Sequence, residues 1–359
     1  MSERAAPIWV VQTSFVGDCV LSLPFLHELA RLEPEAPLVI VTQPGIQKQL
    51  FELALERGLA RHASRIHVTT IDKKRSEKNF WGLRAWVKRT RELHGTPKKV
   101  FCNQRSFRSG LVAVLSGSSE RIGFASGAAS FLYTRAVRRG WESGEHEIEK
   151  NLDLLRASDT SAEIPAWRGL DKASLLAATP RPLRVSDQAA IALGSPWPTK
   201  RWPVDQVIDL CRKWSAAGIE INLIGDPSAR DIAETVKAAV PSLLVKDHVG
   251  RTSMREWTDL LDSSAVLVSG DSASVHVASD LGVPVIALFG PTVPDFGFAP
   301  WRSHSQVLQD ADLNCRPCSI HGPKQCPLGH HKCLKNIGAE QVFSATKPYL
   351  LMDPQDKPM

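Results

Sequence analysis

The chain has 359 residues, 43% hydrophobic and 23% charged, which is the balance of a folded protein and long enough for two domains. No run of roughly 18 apolar residues occurs, so no transmembrane helix is expected. The net charge of +6 favours anionic partners such as phosphorylated sugars, lipid headgroups or nucleic acid, although an ordinary basic surface accounts for it equally.

The apolar start at Ile8 is broken by Gln12, Thr13, Ser14 and Asp18, with no small-residue cleavage site after it. It reads as a first strand, Ile8–Thr13, rather than a signal peptide, and the expected compartment is the cytoplasm. A turn at Gly17-Asp18 leads into a helix expected to run to about Ala30. Leu38–Thr42, Ile66–Ile71 and Lys99–Cys102 read as strands, and Gln47–Arg57 and Trp81–Leu93 as helices. The second of these helices carries Arg84, Lys88 and Arg91 at helical spacing, a solvated face or one for an anionic membrane surface. Strands alternating with helices predict a parallel sheet covered on both faces.

Periodicity fades over 170–185, where two prolines occur, and an interdomain linker is expected there. A second alternating series follows. Gln188–Leu193, Glu220–Gly225, Ala265–Ser269 and Val283–Phe289 read as strands. Asp205–Ala217, Ser228–Ala239 and Ser274–Leu281 read as helices, the second capped by Asp226 with Pro227 at its first position. A last helix is expected around Ala339–Leu351. No short-period repeat is visible.

The segment Ala265–Thr292, AVLVSGDSASVHVASDLGVPVIALFGPT, bears most on function. A buried strand stops at Gly270, Asp271 and Ser272 make a tight loop, and a helix begins on the small residues Ala273 and Ser274. Small residues there admit an anion to the unpaired N–H groups, with the helix dipole in support. An ordinary strand–turn–helix capped by an acid is the plain alternative.

This segment resembles the D-[ST]-[GA]-x-x-H-x-A…LG-x-P…[FY]-G-P-T signature of glycosyltransferase family 9, which includes the lipopolysaccharide heptosyltransferases. Asp271, Ser272, His276, Ala278, Gly282, Pro284, Phe289, Gly290, Pro291 and Thr292 fit it; Ala273 and Ser274 depart from the usual glycine and proline. Further motifs follow the family's order: Gly17-Asp18 before Pro24, Asn103–Gly123, His146 with the EIEKNLDLL run, GSPWPTKRWP at Gly194–Pro203, and CPLGHHKC at Cys326–Cys333. The last is similar to the heptosyltransferase II branch.

The resemblance implies a GT-B fold: two Rossmann-like doubly wound domains facing a cleft, 1–175 binding the acceptor and 176–359 the nucleotide sugar. The last helix is then expected to pack on the first domain. It also implies an inverting transfer of heptose from ADP-heptose to a lipopolysaccharide inner-core or other lipid-linked anionic acceptor, with peripheral contact at the inner membrane. Asp18 is the implied base, with helix capping as its plain alternative. Lys200 is the implied partner of the leaving diphosphate. Ser195, Thr199, Gly225, Asp226, Asp271, Ser272, Ala273 and His276 are candidate donor-site residues, although a structural tie from helix to sheet is the simpler role for His276. Arg105, Arg108 and Ser109 are candidate acceptor contacts, and Arg201 is expected to face solvent. No catalytic cofactor and no nucleic-acid partner are expected. The alternatives are another donor such as a UDP-hexosamine, a sugar-nucleotide epimerase, and a non-catalytic nucleotide-binding regulator. The missing G-x-G-x-x-G and P-loop argue against a dehydrogenase or kinase.

Seven cysteines occur. Cys19, Cys102 and Cys211 lie in apolar contexts and are expected to be buried small hydrophobes. Cys315, Cys318, Cys326 and Cys333 form a C-x2-C-x7-C-x6-C cluster. In a reducing compartment this marks a candidate structural zinc site, or less readily an iron–sulfur cluster, with a loop of reduced thiols as the alternative.

Overall fold

The structure is a computed structural model that describes residues 5–74, 77–125, 127–138, 144–159, 161–164, 174–177, 186–301 and 304–351. Two compact units, Met1–Leu175 and Leu176–Met359, divide the chain. Of the expected linker over 170–185, only 174–177 falls within the described residues.

In the first unit β1 (Ile8–Val11), α1 (Val16–Leu21), α2 (Leu23–Leu32), β2 (Leu38–Thr42), α3 (Ile46–Glu56), β3 (Ile66–Thr70) and α4 (Phe80–His94) follow in order. Next come β4 (Lys99–Cys102), α5 (Phe107–Leu115), β5 (Glu120–Phe124), β6 (Arg135–Val137) and α6 (Glu147–Ser158). Every residue of β1 and β2 is buried, as a parallel sheet covered on both faces requires. The helix expected to run through Ala30 is two helices, α1 and α2. Pro24, in the first turn of α2, has no N–H to continue the hydrogen-bond ladder back into α1. Leu83, Trp86 and Val87 of α4 and Val112 of α5 pack with Trp9, Val11, Val39 and Val41 in one apolar layer.

The second unit holds β7 (Gln188–Ala192), α7 (Val204–Ala216), β8 (Glu220–Ile224), α8 (Arg230–Ala239), β9 (Val245–Asp247) and α9 (Met254–Ser263). It continues with β10 (Val266–Gly270), α10 (Ala273–Leu281), β11 (Val285–Phe289), β12 (Gln306–Gln309), α11 (Lys332–Lys335) and α12 (Ala339–Thr346). Asp226 and Pro227 open a short 3-10 turn, and the regular helix starts two residues later than its cap suggests, at Arg230. The terminal helix, for which a place on the first domain was expected, sends Ala339 and Val342 into the core of the second unit. There the Trp214 indole N–H donates to Thr346 Oγ1 at 3.2 Å. Cys19, Cys102 and Cys211 are buried, as expected.

The strand orders are β3-β2-β1-β4-β5-β6 and β12-β11-β10-β7-β8-β9, and all recorded pairings are parallel. Counted within each unit, both sheets have the same doubly wound order. In each, the chain reverses direction across the sheet between the first and fourth strands: β1 beside β4, and β7 beside β10. Open α/β sheets bind ligands at the carboxyl ends of the strands flanking that reversal.

Candidate active site

In the second unit the loops after β7 and β10 meet at the reversal. Lys200 Nζ donates to Asp271 Oδ2 at 2.6 Å, and Thr292 Oγ1 donates to the same oxygen at 2.8 Å. Gly270 permits this approach: a Cβ there would lie 2.3 Å from the Lys200 carbonyl oxygen. Ser272 is the N-cap of α10, its hydroxyl accepting from Ser274 N–H, and Gly282 closes the helix at φ 77°. The half-buried Ala273 is the first helical residue. A carboxylate, an ammonium and a helix N-terminus are thus gathered where a phosphorylated sugar can be held.

The neighbouring loops fix this arrangement. Ser195 is buried and its hydroxyl accepts from Trp197 N–H. Thr199 is also buried and donates to the Pro323 carbonyl. Asp226 caps its own turn through Ser228 N–H at 2.8 Å, and Gly225 packs against Gly194 at the end of β7. Arg201, expected in solvent, instead donates twice to the Ser195 carbonyl, at 3.0 and 2.8 Å. His276 is buried, its ring stacked on Trp301 with centroids 6.2 Å apart, a packed setting on the flank of α10.

Several contributors escaped the sequence reading. Thr292 was visible as a motif residue but carried no role. Arg316 donates to the carbonyls of Phe289, Gly290, Thr292 and Asp310 and so pins the loop bearing Thr292; nothing in its C-R-P-C context signals this. The Trp197 ring stacks on His321 at 5.7 Å and lies beneath the ammonium groups of Lys200 and Lys324. Burial, with the Lys200 charge adding to it, pushes the His321 pKa down.

The first unit builds a second charged cluster at its own reversal. Asp18 lies in the first turn of α1, where the helix dipole favours a carboxylate; the N-cap position belongs to Phe15. The Gln12 amide donates to the carbonyls of Asp18 and Asn103, joining the chain beyond β1 to the chain beyond β4. Gln104 donates to Thr13 Oγ1 and Ser109 Oγ and accepts from Ser14 Oγ at 2.7 Å. Arg105 lies over the Phe124 ring at 4.7 Å and 3.9 Å from Glu147 Oε1. Burial lowers its pKa, whereas the charges of Glu147 and Asp18 raise it. Glu147 also pairs with the fully buried Lys150 at 3.5 Å.

Of the three candidate acceptor contacts, Arg105 thus lies within electrostatic reach of Asp18. Ser109 is buried and held by Gln104, and Arg108 donates to the carbonyls of Glu77 and Lys78. Lys73, just beyond β3, donates to the Thr13 carbonyl at 2.8 Å, and its pKa is pulled down to about 8, first by burial and then by Arg108. A basic residue following a strand was the available signal for Lys73.

Cys333 is buried, and Cys315, Cys318 and Cys326 are partly exposed. Among the described residues no three His, Cys, Asp or Glu side chains gather in a way that holds a metal ion. The four thiols nonetheless lie within electrostatic reach of one another, Cys315 and Cys326 acting on Cys318, and Cys318 and Cys326 acting on Cys333. The segment also braces the loop before Lys200, His331 meeting the Thr199 carbonyl at 2.7 Å and Lys324 donating to the Pro196 carbonyl at 2.6 Å.

Two doubly wound sheets, each with charged side chains at its reversal, match the fold of GT-B heptosyltransferase structures. Residues 98–330 match the model of glycosyltransferase family 9 (heptosyltransferase), and the chain belongs to that family. Lipopolysaccharide heptosyltransferase 1 of Pseudomonas aeruginosa is 27% identical over 361 residues, covering 95% of this chain and 94% of that protein. The solved E. coli ADP-heptose lps heptosyltransferase II has a TM-score of 0.68 at 18% identity, covering 96% of this chain and 98% of that one. E. coli heptosyltransferase WaaC with ADP has a TM-score of 0.71 at 18% identity, covering 96% and 99%.

Proposed function

We propose that this glycosyltransferase moves heptose from ADP-heptose to a lipopolysaccharide inner-core acceptor with inversion, at the cytoplasmic face of the inner membrane. The carrying observation is the Lys200–Asp271–Thr292 constellation at the N-terminus of α10. The ammonium and the helix N–H groups offset charge as the diphosphate leaves, while Asp271 and Ser272 contact the sugar. The first unit takes the acceptor, with Arg105 and Lys73 drawing its anionic groups.

Asp18 removes the acceptor hydroxyl proton. The acceptor oxygen bonds to the anomeric carbon as the carbon–oxygen bond to the diphosphate breaks on the opposite face, and ADP departs with the electron pair. No cofactor enters this scheme.

The test is ADP release from ADP-heptose with a deacylated core acceptor, run beside UDP-sugars. Release with ADP-heptose, lost in Asp18→Ala, supports the reading. Turnover of a UDP-sugar alone, epimerisation, or binding without turnover would each replace it.

A further inference from the structure

We propose that the outer layer of the first unit, along α4 and across the N-terminal ends of α4 and α5, docks on an anionic lipid bilayer. This deepens the proposed function and rests on it for the lipid-linked acceptor. The observations behind the surface are independent of the chemistry.

Among the described residues, the large exposed aromatic side chains all belong to the first unit: Phe15, Phe80, Trp81, Phe107 and Phe131. Phe15, Phe80, Trp81 and Phe107 stand at the starts of α1, α4 and α5. In a parallel sheet those starts lie at the carboxyl ends of the strands, the edge that also carries Asp18 and Arg105. Trp81 is 70% exposed and Phe131 74%. They form two pairs, Phe80 with Trp81 at 5.5 Å and Phe107 with Phe131 at 6.4 Å. Arg108 ties the start of α5 to the carbonyls of Glu77 and Lys78, just before α4, so both pairs are fixed to one rim. Leaving such side chains in water forgoes the gain of burying them.

Behind the rim runs a cationic stripe. Leu83, Trp86, Val87 and Thr90 turn α4 toward the core, which leaves Trp81, Arg84, Lys88 and Arg91 outward at helical spacing. They line an open groove of about 880 Å³. Arg84 sits 6.0 Å from the Trp81 ring centroid. Glu92, paired with Lys88 at 3.8 Å, offsets only part of this charge. Aromatic rings beside lysine and arginine match the interface of an anionic bilayer, where rings enter the headgroup region and cations meet phosphate.

The test is flotation of the full chain with phosphatidylcholine vesicles, with and without about one-third phosphatidylglycerol. Binding is expected only with the anionic lipid and should weaken as salt is raised. The double variants Trp81→Ala/Phe131→Ala and Arg84→Glu/Lys88→Glu should each lower vesicle affinity by roughly tenfold, with turnover of a water-soluble acceptor unchanged. Failure of the wild-type chain to float, or equal flotation of the variants, would overturn the proposal. So would loss of a dimer in the variants without lipid binding, which would make the patch an interface between copies. Absence of turnover in every form, with flotation as expected, would instead count against the proposed chemistry and leave the surface standing.

Discussion

Lys200 and Asp271, 71 residues apart in sequence, share a 2.6 Å ion pair with their side chains only 10% and 11% exposed. A pair so far out of water is costly to break from one side, because the remaining charge stays buried. In the proposed transfer it holds the cation that offsets the charge of the departing diphosphate.

Lys200→Ala should therefore lower turnover by about 10²–10³, or ~3 kcal/mol of transition-state stabilisation. Lys200→Arg should restore only part of it, since a planar fork does not reproduce a point charge packed 5.5 Å from the Trp197 ring. Steady-state ADP release and nucleotide binding by calorimetry check both.

Asp18→Asn should reduce kcat by about 10²–10⁴ with little change in KM for the donor. The dipole contribution lost at the start of α1 is only about 0.3–1 kcal/mol, so the melting temperature should shift little. A fall in donor affinity as large as the fall in kcat would refute the base role.

Gly270→Ala would place a Cβ 2.3 Å from the Lys200 carbonyl. The loop must then move, at a cost of about 1–3 kcal/mol, and both activity and donor affinity should drop. Gly282→Ala, at φ 77° with open space around it, should cost about 1 kcal/mol from backbone strain alone and leave activity intact. Thermal denaturation beside kinetics separates the two.

Lys73 has its pKa lowered from 10.5 to about 8. It is cationic below that value and neutral above it, so affinity for an anionic acceptor should fall as pH rises from 7 to 9. The sign for stability is opposite. Between 8 and 10.5 the unfolded chain binds more protons at this site than the folded one, so this group's contribution to stability rises with pH. Acceptor KM against pH, compared with Lys73→Met, checks the first statement: the variant should lose the step near 8.

Glu147→Gln should destabilise the first unit by about 3 kcal/mol, because the fully buried Lys150 loses the carboxylate 3.5 Å away and keeps only the weaker influence of Glu145 among the carboxylates acting on it. Glu147→Leu combined with Lys150→Met should recover much of that stability without recovering the setting of Arg105. Chemical denaturation and acceptor KM together distinguish these effects.

What was legible in the sequence was local. β10, α10 and Gly282 as its end follow from apolar runs and terminal residues, whose signals act within one turn of chain, although the cap expected of the acid is made by its neighbour Ser272. The two alternating series gave the parallel α/β class for the same reason. The break between α1 and α2 was also local, written in Pro24, and was missed because an apolar period continues across it. The three-residue strands β6 and β9 carry too little period to stand out.

Tertiary structure decided the rest. Asp271 meets Lys200 because the strand order brings β7 beside β10, it meets Thr292 because β11 lies on the other side of β10, and Gln12 reaches Asn103 because β1 lies beside β4. No periodicity encodes which strand lies beside which. The same holds for the cysteine segment: its spacing suggested a metal, and only packing shows that it also braces the Lys200 loop through His331 and Lys324. Sequence determined which short pieces form and which residues their ends present. Only the sheet order, fixed by burying both faces at once, selected which ends come together as a site.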